Sequence, residues 1–579
     1  MFSHLSRKNY WRRLFLIAFL FLSVAMGARA DESPKVLAAI KFPPVKALSN
    51  ELMGLTRQVM PGQQTEMWPM MLLGAYGYPN FAGVSETQGP TMFFFHAAKG
   101  DPTPYVILTK MSEKAAMRKA LTMKSKGGNS MFGFLSPGLV AVDRDGWTLF
   151  SNDAASFEYV QDLDALAHLS DEMKGFDINA RVFVGPEMMS KWVQNIKETI
   201  ADDHVLNGGS VKDPALLHKQ LFVEFLATIG ENIEWAGIGL NITPDEVAMG
   251  FSVQAIEGAP EYSLLSAKAG GPTPIANYVA RSMVSYVSNV DHHEILKYYE
   301  VLESRAMEVV TEEGRKWLTK AGEVNRTLIS KMGDSHVGSI AFSDENVVAT
   351  SAMSSELDNA VVVESMRFYY EELMPYLLQQ CKAMGYPQEA MEMVIKADVA
   401  EVQNSPVNEI QSKIGSPLVG QLDPTNEEEY IRTEQTFFSV VMGNVLSSTK
   451  LDVLETLANN LTEEKPVADN IASRIQLANG QAIGSEIDVG SAVEIFAQGF
   501  DHESEFARQA LKQLMASDLA PITSSLRLGD GQGVYEFAVP VSTIVQLSEV
   551  SRQIKQSEME MKTMGGERPQ ASPKPEPAK

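Results

Sequence analysis

Apolar and polar positions along this chain fall into short alternating runs divided by turn residues, with longer helical stretches between them. Val36-Leu37-Ala38-Ala39-Ile40-Lys41-Phe42 predicts a strand, and Pro43-Pro44 the start of a helix, because proline fits a first helical turn that needs no N–H. Met92-Phe93-Phe94-Phe95 and Tyr105-Val106-Ile107-Leu108 predict paired strands around Lys99-Gly100-Asp101-Pro102, with a helix opening at Ser112-Glu113. Asp143-Arg144-Asp145-Gly146 predicts a hairpin turn between Leu139-Val140-Ala141-Val142 and Trp147-Thr148-Leu149-Phe150. Ser151-Asn152-Asp153 supplies capping side chains for the next helix. Val182-Phe183-Val184-Gly185 reads as a short strand entering a helix at Pro186. Around Thr243-Pro244-Asp245-Glu246, alternation puts Ile238, Leu240 and Ile242, then Val247, Met249, Phe251 and Val253, on one side. Such spacing predicts one buried and one wetter face, as in an antiparallel sheet covered by helices on one side.

The same order recurs. Residues 279–287 predict a strand before a helix, and Ile340-Ala341-Phe342 and Val347-Val348-Ala349 flank a polar turn. Val440-Val441-Met442 and Val445-Leu446-Ser447 flank Gly443-Asn444 and lead into a helix at Leu451. Ile487-Asp488-Val489-Gly490 matches the strand that enters the Pro186 helix, and Leu526-Arg527-Leu528 and Tyr535-Glu536-Phe537-Ala538-Val539 flank Gly529-Asp530-Gly531. This order points to a tandem duplication. The expected architecture is α+β: two similar domains, 31–267 and 275–549, each a largely antiparallel curved sheet packed by helices and joined by a linker at 268–274.

A long helical insertion over about 291–400 distinguishes the second domain. Ile295, Tyr299, Leu302, Ala306, Val310, Trp317, Ala321, Val324 and Leu328 form one apolar stripe from Asp291 to about Met332, with Gly314 and Gly322 as expected break points. A further helical stretch is expected from Ser355 to about Ala400. Polar residues 403–429 read as a loop, 550–564 as the end of a C-terminal helix, and 565–579, with Pro569, Pro573, Pro575 and Pro577, as a disordered tail.

The amino terminus changes the picture. Arg7, Lys8, Arg12 and Arg13 precede an apolar stretch over 14–27, and Ala28-Arg29-Ala30 has the form of a cleavage site. Residues 1–30 therefore read as a signal peptide cut after Ala30, delivering the chain to the periplasm or cell exterior. Arg12-Arg13-Leu14-Phe15-Leu16 also resembles the twin-arginine export pattern, whereas the strongly apolar stretch suits the general secretory route. The chain carries a net charge of −24. That acidity weighs against nucleic acid and anionic lipid heads as partners, and no later run is apolar enough to span a membrane. With Cys381 the only cysteine, no internal disulfide can form. Its helical, leucine-flanked setting reads as a small buried hydrophobe, with pairing between chains or nucleophilic chemistry as the alternatives.

Local chemistry is sparse. No Gly-x-Ser-x-Gly elbow, His-Glu-x-x-His pair or phosphate-cradling glycine loop occurs, and Asn207-Gly208-Gly209 reads as a plain turn. Asp291-His292-His293-Glu294 is the densest histidine cluster and Asp202-Asp203-His204 the next. On a helix His292 and His293 point about 100° apart, so one ion would need a further ligand, and Asp291 as a cap explains the residues equally well. The chain holds 30 methionines, clustered at Met67-Trp68-Pro69-Met70-Met71, Met391-Glu392-Met393 and Met559-Glu560-Met561. Thioethers can hold Cu(I), yet most of these positions, with Met188-Met189, fit helices as ordinary core. No catalytic residue and no cofactor is assigned.

Pro104-Tyr105-Val106-Ile107-Leu108 and Leu149-Phe150-Ser151-Asn152-Asp153-Ala154-Ala155 give the chain a texture that resembles exported bacterial proteins built from tandem strand–helix–hairpin repeats. The resemblance implies a mixed sheet packed by helices and brings no functional residues. The expectation is non-catalytic binding of a hydrophobic or small ligand in the cell envelope. An envelope scaffold, a Met/His copper binder and an enzyme whose site assembles from distant residues remain the alternatives.

Overall fold

The structure is a computed structural model that describes residues 36–59, 85, 87–95, 103–111, 140–151, 153–206, 214–343, 346–383, 391–415, 431–498, 512, 514 and 519–563. Residues 1–30, Met67 to Met71, the helix expected at Ser112, Asn207-Gly208-Gly209 and the tail 565–579 lie outside the described residues.

Turn chemistry and capping side chains place the first elements. β1 (Val36–Lys41) leads through Pro43-Pro44 into α1 (Val45–Val59), followed by the pair β2 (Thr91–Phe95) and β3 (Tyr105–Thr109). β4 (Val140–Arg144) and β5 (Trp147–Ser151) meet at Asp145 and Gly146, whose φ angles of 49° and 83° are what a two-residue hairpin turn requires. Asp153 caps a 3-10 turn (Ala154–Tyr159), and Asp162 caps α2 (Leu163–Glu172) by accepting the Ala165 N–H. β6 (Ile178–Phe183), α3 (Gly185–Leu206), α4 (Pro214–Gly230), the hairpin β7 (Ile233–Ile242) and β8 (Glu246–Ala255), and the short α5 (Pro260–Leu265) follow.

The later elements begin with a 3-10 turn (Pro274–Asn277), β9 (Val284–Asn289), α6 (His292–Val309), α7 (Glu312–Lys331) and the hairpin β10 (Met332–Ser343) and β11 (Asn346–Ser355). α8 (Asn359–Arg367) runs through a π-helical turn (Phe368–Leu373) into α9 (Met374–Ala383). Next come β12 (Met391–Val402), β13 (Ser405–Gly415), β14 (Ile431–Val441), β15 (Asn444–Ser448) and α10 (Leu451–Thr462). β16 (Gln481–Ile487), α11 (Val489–Gln498), the hairpin β17 (Ile522–Gly529) and β18 (Gln532–Pro540), and α12 (Val541–Thr563) are the last described elements.

The 18 strands of the described residues belong to one open sheet. Its order is β4-β5-β3-β2-β1-β6-β7-β8-β18-β17-β16-β9-β10-β11-β15-β14-β13-β12, and every neighbouring pair is antiparallel. β8 and β18 form the seam between the early and late parts of the chain.

Helices cover both faces rather than one. Phe93, Val106 and Leu149 pack with Leu163 and Leu166 of α2, while their strand neighbours Ile107 and Phe150 pack with Leu48, Leu52 and Leu55 of α1 on the opposite side. β5 is buried along its whole length, which one-sided cover would not allow. On the α2 face of the later strands, Val287, Val337 and Leu446 meet Leu454 and Leu457 of α10; on the α1 face, Ile395 and Phe438 meet Val362 and Val363 of α8.

Three further expectations need correction. The helical stripe breaks at Val310-Thr311, where Thr311 Oγ1 accepts the Gly314 N–H at 3.2 Å, and not at either glycine. Gly322 instead admits α6: a Cβ there would lie 2.0 Å from Glu303 Oε1. Of the stretch from Ser355 to Ala400, Ser355 ends β11, residues 359–383 are helical, and residues 391–400, with Met391-Glu392-Met393, stand in β12, a strand. Within 403–429, residues 405–415 are β13, paired on both sides. Its polarity hid it: Asn408, Glu409 and Ser412 are buried, and Glu409 accepts from Gln435 at 2.7 Å and Lys396 at 3.3 Å.

Contacts tie the early and late parts together beyond the seam. α5 packs on α6, and α12 packs on α1. Between α5 and α6 the Glu261 carboxylate, 4% exposed, is paired with Arg305 and accepts the Tyr298 hydroxyl at 3.2 Å. Residues 268–274, expected as a linker, are tied in as well, since Gly270 donates to Asn289 O at 3.1 Å and its φ of +84° lets it pass Ala478 where no side chain would fit.

Replacing Glu261 by Ala strands Arg305 without its partner and is expected to cost about 3 kcal/mol in urea unfolding. The double change Glu261→Ala with Arg305→Leu should cost less than Glu261→Ala alone. Equal costs would show that the pair does not act as a unit.

Candidate functional site

Register across the seam builds an apolar row. Ile238, Phe251, Tyr535 and Leu526 stand opposite one another on β7, β8, β18 and β17. Two residues along, Leu240, Met249, Phe537 and Ser524 form the next row on the same face. Ile238, Phe251 and Tyr535 are 37%, 40% and 41% exposed, which a row of large apolar side chains in the middle of a sheet should not be.

The alternation of β7 and β8 thus ran opposite to expectation: part of the apolar side is open and the small side is buried. Gly237, Gly239, Ala248, Gly250 and Ser252 fill the other face. Phe176 lies over two of these glycines, and a Cβ at Gly239 or Gly250 would come within 2.0 or 1.9 Å of its ring. Beside it the buried Arg181 guanidinium stacks on Trp235 at 3.8 Å, and burial pushes the Arg181 pKa down. Glycines identify the closely packed side here, a signal that hydrophobicity alone misses.

Helices bound the open row at both strand ends. Leu265 of α5 lies beside Gly533 and Val253, and Tyr262 covers Gly531. At the other end α12 begins, with the Val541 N–H donating to Asp245 O at 2.8 Å, and α1 packs on Leu240 and Ile242. The row therefore crosses the strands between α5 on one side and α12 with α1 on the other.

Beyond β17 the same face turns polar. Ser524 and Ser485 hydroxyls are 2.8 Å apart. Ser485 faces Tyr286 on β9, whose hydroxyl is 3.1 Å from His336 Nε2 on β10, with the rings edge to face at 5.2 Å. Gly338 makes room for the Tyr286 ring. Burial raises the Tyr286 pKa; burial first, and His292 second, lower that of His336.

The structure separates the histidine cluster of the sequence. Asp291 is the cap, its carboxylate accepting the His293 N–H at 2.9 Å, and His293 is exposed. Glu294 binds Lys297. Only His292 turns toward His336, and it donates its backbone N–H to Asp334 Oδ1 at 3.2 Å while its Nδ1 stays 3.6 Å from that oxygen, beyond a hydrogen bond. Among the described residues no group of three or more His, Cys, Asp or Glu could hold a metal ion. Asp202 lies in α3 with Met188 and Met189, Cys381 in α9 and Met559 and Met561 in α12. His336 and Tyr286 carry no local motif; only the β9–β10 register joins them.

A cavity of about 220 Å³ opens on the α2 face, lined by Arg474, Gln476, Glu486, Thr523, Ser525 and Glu536. Its carboxylates already serve the fold, Glu486 bonding Arg281 at 3.3 Å and Glu536 bonding Arg527 at 3.4 Å. No helix among the described residues is long and apolar enough to cross a membrane.

His336, whose ordinary value is 6.5, is held below it in the folded chain, so its contribution to stability is complete above that value and is lost as pH falls through the folded pKa. Urea unfolding between about pH 7 and pH 5 should show stability falling more steeply for the native chain than for His336→Gln. Parallel slopes would remove His336 as the titrating group. Comparison with known proteins finds no matching family model, no similar curated protein and no similar solved structure.

Proposed function

We propose that this protein is an exported, non-catalytic binding protein that holds a hydrophobic ligand across the middle of its sheet. The exposed row Ile238, Phe251 and Tyr535 carries the reading, because apolar side chains in register between bordering helices offer a ready-made surface for an apolar molecule. Ile, Leu, Met, Phe and Tyr side chains supply buried area and orientation rather than acid–base chemistry. The basic and apolar segments ahead of Ala30 support export.

The chain is further read as two tandem copies of one α+β unit, with the ligand surface on the seam between them. Counting strands within each copy, β1 to β8 pair in the order 4-5-3-2-1-6-7-8. β9–β11 with β14–β18 give the same order, β12 and β13 then being an added hairpin. A scaffold role draws support from the outer strands, where Val140 and Val142 of β4 and Val394 and Val399 of β12 are exposed.

Titration with N-phenyl-1-naphthylamine, a dye that fluoresces in apolar surroundings, should give saturable binding. Phe251→Asp with Tyr535→Asp should weaken it at least about tenfold, since each large apolar contact contributes roughly 1.5–3 kcal/mol. Circular dichroism should show the variant folded. Absence of saturable binding, or a folded variant that binds as well as the native chain, would end the ligand reading.

A further inference from the structure

The face that carries the apolar row does not end in charge. From Ile238 through Phe251, Tyr535 and Leu526 it continues to Ile483, and the parallel row runs from Leu240 through Met249 and Phe537 to Ser524, Ser485 and Tyr286. No Asp, Glu, Lys or Arg stands in either row. The first strands of this track present hydrocarbon and aromatic surface. The last present hydroxyls in bonded pairs, Ser524 with Ser485 and Tyr286 with His336.

Spacing sets the size of what could lie there. Ile238 and Tyr286 are five strand steps apart, roughly 24 Å at the usual inter-strand distance, and the two rows are separated by about 7 Å along the strands. Such a track is long and narrow, the width of one extended chain. Its polar end holds hydroxyls and one imidazole, and burial holds His336 below its ordinary value of 6.5, which favours the neutral ring. A hydroxyl accepts as readily as it donates, so this end suits a hydroxyl or ester head and gives no counter-charge to a carboxylate or phosphate. The net charge of −24 disfavours anionic ligands in the same sense.

We infer that the ligand is an uncharged single-chain amphiphile of the monoacylglycerol kind, its acyl chain along Ile238, Phe251, Tyr535 and Leu526 and its head against the Ser524–Ser485 and Tyr286–His336 pairs. This inference rests on the apolar row being a binding surface. Either hydroxyl of the serine pair can turn from its neighbour to the ligand, and the Tyr286 hydroxyl, already bonded to His336, can still accept a second bond.

Displacement of N-phenyl-1-naphthylamine separates the two ideas. Monoolein should displace the dye more effectively than oleate or 1-octadecene. Tyr286→Phe, and Ser485→Ala with Ser524→Ala, should each weaken monoolein about three- to tenfold more than they weaken the dye, the worth of a lost hydrogen bond. If the dye binds and all three molecules displace it equally, or the head variants bind monoolein like the native chain, the head-group inference falls and the apolar surface stands. Stronger displacement by oleate would overturn the uncharged head. If the dye does not bind at all, the surface itself fails and takes this inference with it.

Discussion

Pairing between β8 and β18 is the constraint on which the rest depends. It runs from Gln532 opposite Gln254 to Pro540 opposite Glu246, and it turns two strand sets into one sheet. Phe251 and Tyr535 face each other only through this ladder, so the apolar row exists because the seam exists. The helices that follow the seam strands reinforce it reciprocally, α5 resting on α6 and α12 on α1.

What keeps one face of the seam open is the tightness of the other. Gly239 and Gly250 let the Phe176 ring lie against the backbone, and Arg181 and Trp235 close the space beside it. At the positions under Phe176, large side chains on β7 and β8 can then stand only on the α1 face. The strands present apolar surface there without destabilising the sheet, because their buried contacts are made on the glycine side.

Sequence patterning gave most strands and turns, and the reasons are local. Asp145-Gly146 and Asp530-Gly531 take left-handed backbone at the turn, which their residue types announce, whereas the β14–β15 turn falls on Met442-Gly443, one residue before the expected Gly443-Asn444; Asp153 and Asp291 cap as their positions suggest. β12 and β13 were not legible. Met391 to Val402 is rich in Met, Ala and Glu, residues that favour helices when alone, and β13 buries Asn408 and Glu409, whose partners Asn359, Lys396 and Gln435 come from other elements. The candidate site was half visible. Alternation named Ile238 and Phe251 but assigned them to the wrong environment, and Tyr286 and His336 meet only through register, which no single segment encodes.

The seam also has a temporal side. Nearly every other pairing joins neighbours in the chain or elements within its early or late part, whereas β8 must wait for β18, the last strand among the described residues. During that interval β8 is a ten-residue edge with a single charged side chain, Glu246 at its start, and no proline. An unpaired edge of this composition invites sticking to other chains, and contacts between distant segments form slowly. A nascent chain therefore passes through a stage in which this long, nearly uncharged strand is complete and its natural cover is not, and a holding chaperone would have that edge to protect.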